Sequence, residues 1–216
     1  MGDPLRLFPL GIVLLPGMRL PLHIFEERYR VMIRECLAEG SEFGVVLYEG
    51  GNLARVGCRA WIIQVLREYE DGRMDILTHG RERFRILETM EDRPYLRAEV
   101  EPFRDEPEEP SARADELAAR GIKSLKKLGE MVDRTPDEAK LTSLPLDELS
   151  FYIAAADGFE RPEKQKLLEM RSTTERLEKG VEALTHIIER LRMSLEIRRI
   201  IGGNGHIPGF FPRKVE

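Results

Sequence analysis

Prolines and glycines near the start of the chain constrain its fold most, because they divide a long apolar stretch into pieces too short for a helix. The first apolar piece stops at Pro9, and a second covers residues 12–15. A Pro16-Gly17 pair predicts a turn before the third piece, residues 18–22, and a helical pattern starts only after Phe25. This order predicts short β-strands followed by a helix.

Residues 1–104 are predicted to form mainly β-structure with one helix. Apolar residues at helical spacing indicate a helix over residues 26–39, and Gly40 is its predicted C-terminal cap. The predicted strands have alternating or β-branched, apolar sequences, and they are Leu5–Leu10 and residues 43–48, 55–69, 73–78, 83–88 and 96–103.

The second half of the chain is predicted to be helical. Residues 105–110 are acidic and contain two prolines, which predicts a solvated linker. Helices are then predicted over residues 111–131, 145–156 and 162–170. A capping box from Ser172 to Glu175 begins a last, long helix, which is expected to stop at Gly202.

The last helix carries a narrow apolar seam with alternating steps of four and three residues, as in a coiled coil. The seam consists of Leu177, Val181, Leu184, Ile188, Leu191 and Leu195. It is expected to pack on the preceding helices. Homodimerisation through this helix, or through the tail with its Phe210-Phe211 pair, is the alternative.

Composition excludes some classes of protein. The chain has 34 basic and 39 acidic residues, a net charge of −5, so it lacks the basic excess of a dedicated nucleic-acid binder. No apolar run approaches the roughly 18 residues of a membrane span, and no signal peptide is expected. Cys36 and Cys58 are predicted to be reduced, buried thiols, which favours a cytoplasmic location.

The sequence contains no motif that predicts a catalytic, metal or cofactor site. None of the four histidines belongs to an H-E-x-x-H motif, and neither cysteine has a C-x-x-C partner. A P-loop and a G-x-S-x-G elbow are also missing from the sequence. The chain is therefore predicted not to be an enzyme and to bind neither metal nor cofactor.

Two ordered motifs resemble the N-terminal, substrate-binding domain of the Lon protease family. The first runs from residue 7 to residue 29 and contains F-P-L, V-L-L-P-G-M and L-P-L-x-I-F-E-x-R-Y. The second, residues 80–86, is similar to the family's G-x-x-R-F-x-I segment. Residues 144–150 and 164–169 resemble, more loosely, its L-P-x-x-x-L and K-Q-x-L-L-E segments. The resemblance covers nearly the whole chain, residues 5–201.

The resemblance implies an α+β fold. Residues 1–104 would form a PUA-like β pseudobarrel with one helix, and residues 105–110 the acidic linker. Residues 111–201 would form a helical bundle with a long final helix, followed by a tail, residues 202–216. In a full protease this region would lead into an AAA+ ATPase and a Ser-Lys peptidase, and 216 residues hold neither.

The expected function is therefore that of a stand-alone, non-catalytic domain that recognises polypeptides. Its partners would be unfolded clients or, alternatively, one specific folded protein for which it acts as an adaptor or regulator. Met18, Phe25, Tyr29 and Met32 are the predicted peptide contacts, because methionine and aromatic side chains suit promiscuous apolar binding. For Tyr29 and Met32 a position in the core is the favoured alternative.

Arg81, Arg83 and Arg85 are predicted to form a basic stripe on one strand face. Because PUA-like folds also occur in RNA-binding modules, this stripe is the candidate face for an anionic ligand. Residues 1–104 contain 15 arginines and no lysine against 17 acidic residues, so this half of the chain is not basic. Nucleic acid is therefore the less favoured partner.

Overall fold

The computed structural model describes residues 3–201, with side chains placed up to residue 197. Apart from α1, which follows β2, the strands precede the helices along the chain, and this order confirms the α+β class with a long final helix. The strands are β1 Leu5–Leu10, β2 Arg19–Ile24, β3 Phe43–Glu49, β4 Asn52–Leu53, β5 Val56–Glu68, β6 Met74–Met90 and β7 Arg97–Pro102. The helices are α1 Glu27–Glu39, α2 Ala112–Met131, α3 Glu138–Thr142, α4 Leu146–Ala155, α5 Arg161–Glu169 and α6 Thr173–Ile201.

The sheet closes on itself. Its strand order is β1-β7-β6-β5-β3, and β1 also pairs with β3. The β1–β3 pair is parallel, whereas the other pairs are antiparallel. Pro9 does not stop β1, because it lies in this parallel pair opposite Val46. Register shifts between β5 and β6 and between β6 and β7 allow the strands to bend around the closed sheet.

Phe84 fills the interior of the closed sheet. It is fully buried in a cluster with Leu5, Leu7, Val46, Ile86 and Ala98. A Cβ added at Gly44 or Gly57 would lie 2.6 or 2.7 Å from the end of the Phe84 ring. The two glycines therefore provide the space that this ring occupies.

Helix α1 packs on the outer face of the sheet. Its buried residues are Tyr29, Met32, Ile33 and Cys36, which join a second apolar cluster with strand residues such as Phe8, Ile24 and Ile76. The predicted cap is confirmed: Gly40 has a φ of +60° and its N–H donates to the Cys36 carbonyl.

The structure divides the chain into two compact units. One comprises Met1–Pro107 together with Arg161–Ser172, and the other comprises Glu108–Glu160 and the chain from Thr173 onward. We call them the β unit and the helical unit. The sequence assigned residues 161–172 to the helical part instead. The structure places them with the β unit, where Gln165 Nε2 donates to the Val56 carbonyl over 3.0 Å.

The acidic segment is mostly exposed, and hydrogen bonds anchor it at two places. In the β unit, Glu106 N donates to the Arg171 carbonyl over 2.8 Å and its carboxylate pairs with Arg171 Nη1 at 3.0 Å. In the helical unit, the Glu108 carboxylate accepts hydrogen bonds from the backbone N–H and the hydroxyl of Thr174. A carboxylate at this place stabilises the N-terminal end of α6.

In the helical unit, α6 packs on α2 and α4, which confirms the predicted intramolecular use of its seam. The seam residues from Leu177 to Leu191 are buried, whereas Leu195 is exposed. Arg176 is fully buried, and its Nε donates to Ser150 Oγ over 2.7 Å. The homodimer contact stays a prediction, and the helix stop at Gly202 and the tail lie outside the described residues.

Candidate functional site

The two motifs of the first half of the chain meet at Gly80. The turn at Pro16-Gly17 closes with a hydrogen bond from Met18 N to the Leu15 carbonyl, and Gly17 has a φ of +77°. Gly17 N donates to the Gly80 carbonyl and Gly80 N to the Met18 carbonyl, over 2.9 and 2.8 Å. A Cβ at Gly80 would lie 2.2 Å from the Leu15 carbonyl oxygen. The turn and strand β6 are therefore joined by close backbone contact.

Arg83 has a structural role in the second motif. Its buried guanidinium donates from Nη1 to the carbonyls of Leu168 and Met170, over 2.7 and 2.6 Å, and from Nη2 to Asp105. It also lies over the ring of Phe103, 5.1 Å from its centre. Arg83 therefore holds the segment after β7 and the segment Arg161–Ser172 within the β unit.

The predicted basic stripe is interrupted. A register shift sets Arg81 and Glu82 opposite the single residue Arg59, so Arg81 leaves the face on which Arg83 and Arg85 both lie over the ring of Phe103. Arg83 is buried, whereas Arg81 is exposed and pairs with Glu42 at 3.6 Å. Arg85 pairs with Glu101 at 3.3 Å. The alternation of the sequence predicted the stripe, but the bulge interrupts that alternation.

The four predicted peptide contacts separate into two pairs. Phe25 is 60% exposed, and Met18 is partly buried against the apolar cluster that α1 forms with the strands. Tyr29 and Met32 are 6% and 0% exposed, and the Tyr29 ring centre lies 4.2 Å from that of Phe8. These two residues therefore occupy the core, in agreement with the second of the two interpretations, because the apolar stripe of α1 packs on the sheet. A peptide-binding role for Phe25 and Met18 stays a prediction.

Phe25 belongs to an aromatic cluster that the sequence did not predict. Its ring stacks on His23, with centres 5.9 Å apart and an interplanar angle of 21°. His23 Nδ1 hydrogen-bonds to Asp75 Oδ1 over 2.6 Å, and the Tyr69 hydroxyl donates to Asp75 Oδ2 over 2.7 Å. The His23 hydrogen bond and then that of Tyr69 lower the pKa of Asp75. This cluster depends on the β2–β6 register, which sets His23 opposite Asp75.

An open cavity of about 520 Å³ begins at the residue after Phe25. It is lined by Glu26, Glu27, Arg28, Val31 and Pro94. Arg28 Nη2 pairs with Glu26 at 2.7 Å, so part of the charge in the cavity is already neutralised. The cavity can therefore accept an apolar or a polar side chain.

Residues 3–201 contain no group of three His, Cys, Asp or Glu side chains that could hold a metal ion. None of the helices in this part of the chain is long and apolar enough to cross a membrane. Cys36 and Cys58 are free, buried thiols, and burial raises the pKa of each.

A family model and the similar proteins all point to the same family. Residues 4–186 match the model of the ATP-dependent protease La (LON) substrate-binding domain. The chain is 29% identical over 210 residues to a Lon protease of Paraburkholderia phytofirmans and 24% identical over 196 residues to that of Dictyoglomus thermophilum. These alignments cover 90% and 86% of this chain but only 26% and 24% of the relatives, so the chain spans about a quarter of their length.

Solved structures agree with this result. The crystal structure of a Lon N-terminal domain protein from Xanthomonas campestris is 26% identical, with a TM-score of 0.64 over 82% of this chain and 96% of that one. The N-terminal domain of a Mycobacterium avium complex Lon protease shares the fold, at 20% identity and a TM-score of 0.70 over 85% and 98% of the two chains. The chain belongs to the Lon substrate-binding domain family.

Proposed function

We propose that the β unit binds exposed apolar segments of other polypeptides, its clients, through a surface formed by Phe25, His23 and Tyr69. We call it the Phe25 surface. The exposure of Phe25 carries the proposal. Its large aromatic ring is 60% exposed, and a client that covers the ring removes apolar surface from water, which stabilises the complex. Membership of a substrate-binding domain family supports the same role.

The Phe25 surface is held in place before a client arrives. Asp75 fixes the His23 ring through a hydrogen bond, and the guanidinium of Arg67 lies over Tyr69, 4.5 Å from the ring centre. Side chains that are already ordered lose little conformational entropy on binding. The cavity at Glu26 adds space for a neighbouring client side chain.

The proposed role is recognition without catalysis, in agreement with the substrate-binding description of residues 4–186. The protease activity named for the relatives is not assigned to this chain. We further propose a cytoplasmic location, which the two free, buried thiols support because such thiols are typical of reducing compartments.

The test is a fluorescence anisotropy titration of labelled, reduced and carboxymethylated α-lactalbumin, a permanently unfolded protein, at low and at raised salt. Saturable binding that persists at raised salt is expected, because apolar contacts are not screened by ions. Phe25→Ser should weaken this binding about tenfold. Tyr152→Ser is the matched control, because Tyr152 is another exposed aromatic residue but lies in the helical unit.

Three outcomes would contradict the proposal: no binding by the wild type, an equal loss in both variants, or loss of binding at raised salt. If the wild type does not bind the unfolded protein, the adaptor or regulator role toward one folded partner becomes the better explanation.

A further inference from the structure

One edge of β5 is open over residues 61–68. Strand β5 pairs with β3 only between Phe43–Val45 and residues 58–60. Beyond Ala60, within the described part of the chain, β5 has only β6 as a strand neighbour. Among residues 3–201, the backbone hydrogen bonds outside helices and ladders do not involve residues 61–68 either. This edge therefore offers N–H and C=O groups to a further strand.

Apolar side chains accompany this open backbone. Ile63, Val65 and Leu66 are all exposed. The opposite edge of the same three strands, formed by β2, has Pro21 at its centre, which cannot donate a hydrogen bond. Proline and lysine commonly protect edge strands, and residues 61–68 contain neither. The β5 edge is thus protected by neither of these two residue types.

The charged side chains around the β5 edge have partners of their own. Arg59 and Arg81 both lie within 3.7 Å of Glu42, and Arg34 lies 4.0 Å from Glu68. The guanidinium of Arg67 lies over the ring of Tyr69. An uncharged segment can approach this edge without breaking an ion pair or leaving a charge unpaired. The pattern of charge therefore fits an apolar, uncharged occupant.

Two bulges limit the length of that occupant. The β5–β6 register shifts between Ile62 and Gln64 and again between Val65 and Arg67, so Ile63 and Leu66 are extra residues in β5. Bulges bend and twist a strand, so a flat partner strand cannot stay in register across both. A short extended segment suits this edge better than the long edge of a second copy.

We infer that the β5 edge, residues 61–68, binds a short, extended, uncharged segment of a client as an additional β-strand. This inference rests on the proposed function and names the binding mode of the client. Backbone hydrogen bonds would hold the segment, while Ile63, Val65 and Leu66 would contact its side chains.

The first test uses a fluorescein-labelled peptide of alternating valine and threonine, and the same peptide with every internal amide N-methylated. Methylation removes the backbone donors and keeps the side chains. The wild-type chain should bind the unmethylated peptide at least about tenfold more tightly. Equal binding of the two peptides would overturn the inference.

The second test compares Leu66→Lys with Leu87→Lys. The two leucines are 51% and 52% exposed, and each lies at a register shift, but Leu87 is on β6. Leu66→Lys should weaken binding of both the peptide and carboxymethylated α-lactalbumin about tenfold, and Leu87→Lys should not. Circular dichroism melts check that both variants fold.

The two tests separate the inference from the proposed function. If the wild type binds the unfolded protein in a Phe25-dependent way while Leu66→Lys behaves like Leu87→Lys, the edge inference is wrong and the proposed function stands. If the wild type binds neither the peptide nor the unfolded protein, both are wrong.

Discussion

Gly80 is a residue whose lack of a side chain determines how two segments meet. Its N–H and carbonyl bond to Met18 and Gly17, and the Leu15 carbonyl fills the space where a Cβ would lie. Because the obstructing atom belongs to the backbone, no rotamer change can relieve the clash.

Gly80→Ala should lower the free energy of unfolding by about 3 kcal/mol, since the turn and β6 must separate to admit one methyl group. Urea unfolding measures this loss. Gly11→Ala is the control, because a Cβ there meets only the flexible end of Arg161 at 3.3 Å. That variant should stay within about 0.5 kcal/mol of the wild type. Equal stability of the two variants would show that the close approach at Gly80 is not needed.

At the scale of elements, α5 and its flanks show how a helical segment becomes part of a β unit. Gln165 donates to Val56, and Arg83 donates to the carbonyls of Leu168 and Met170. The carbonyls at the end of a helix have no partners within it, so a buried guanidinium satisfies them. Removal of Arg83 would leave these carbonyls and Asp105 with fewer donors.

Arg83→Met should destabilise the chain by about 3 kcal/mol, because it breaks a buried ion pair and leaves buried acceptors unsatisfied. Hydrogen exchange should increase most in residues 161–172. Arg81→Met is the matched control, since the Arg81 side chain is 53% exposed, and it should cost less than about 1 kcal/mol. Similar exchange in the two variants would mean that Arg83 does not hold this segment.

Elements with local signals could be predicted from the sequence. The bounds of the strand Leu5–Leu10 and of helix α1 agree with the prediction within one residue. The apolar pattern marks both elements, and the glycine cap at Gly40 marks the end of α1. Helix α3 was not predicted, although Asp137 carries a local signal: its carboxylate accepts hydrogen bonds from Ala139 N and Lys140 N.

Features that depend on distant contacts could not be predicted. Gly80 interrupts the alternation, so β6 was predicted as two strands, whereas bonds to the preceding turn keep it continuous. The same distinction applies to the candidate site. The apolar stripe of α1 is a local signal and indicated the core position of Met32. The contact between His23 and Asp75 depends on the pairing of β2 with β6, for which the sequence carries no local signal.

On the scale of the whole molecule, carboxylates joined to arginines link distant parts of the chain. In the β unit, Arg6 of β1 donates to both oxygens of Glu39 in α1, over 2.7 and 2.8 Å, and to Glu35 over 3.3 Å. Tyr95, which precedes β7, also donates to Glu35. The hydrogen bond from Tyr95 and then that from Arg6 lower the pKa of Glu35.

A lowered pKa makes the stability of this network depend on pH. The carboxylate of Glu35 binds its proton more weakly in the folded chain than in the unfolded chain, where its pKa has the ordinary glutamate value. Its contribution is therefore complete above that value and is lost as the pH falls through the lower, folded pKa. Glu35→Gln should reduce the free energy of unfolding by about 1 kcal/mol at pH 7.

The difference between the wild type and Glu35→Gln should shrink in acid, because the wild-type side chain then becomes neutral too. Urea unfolding at pH 7 and near pH 3 measures it, with Glu82→Gln, an exposed carboxylate of β6, as the control that changes little at either pH. A difference that stays constant between the two pH values would mean that the charge of Glu35 does not stabilise the fold. In that case its hydrogen bonds act without regard to ionisation, and the acid sensitivity of the β unit must come from other carboxylates with a lowered pKa, such as Asp75.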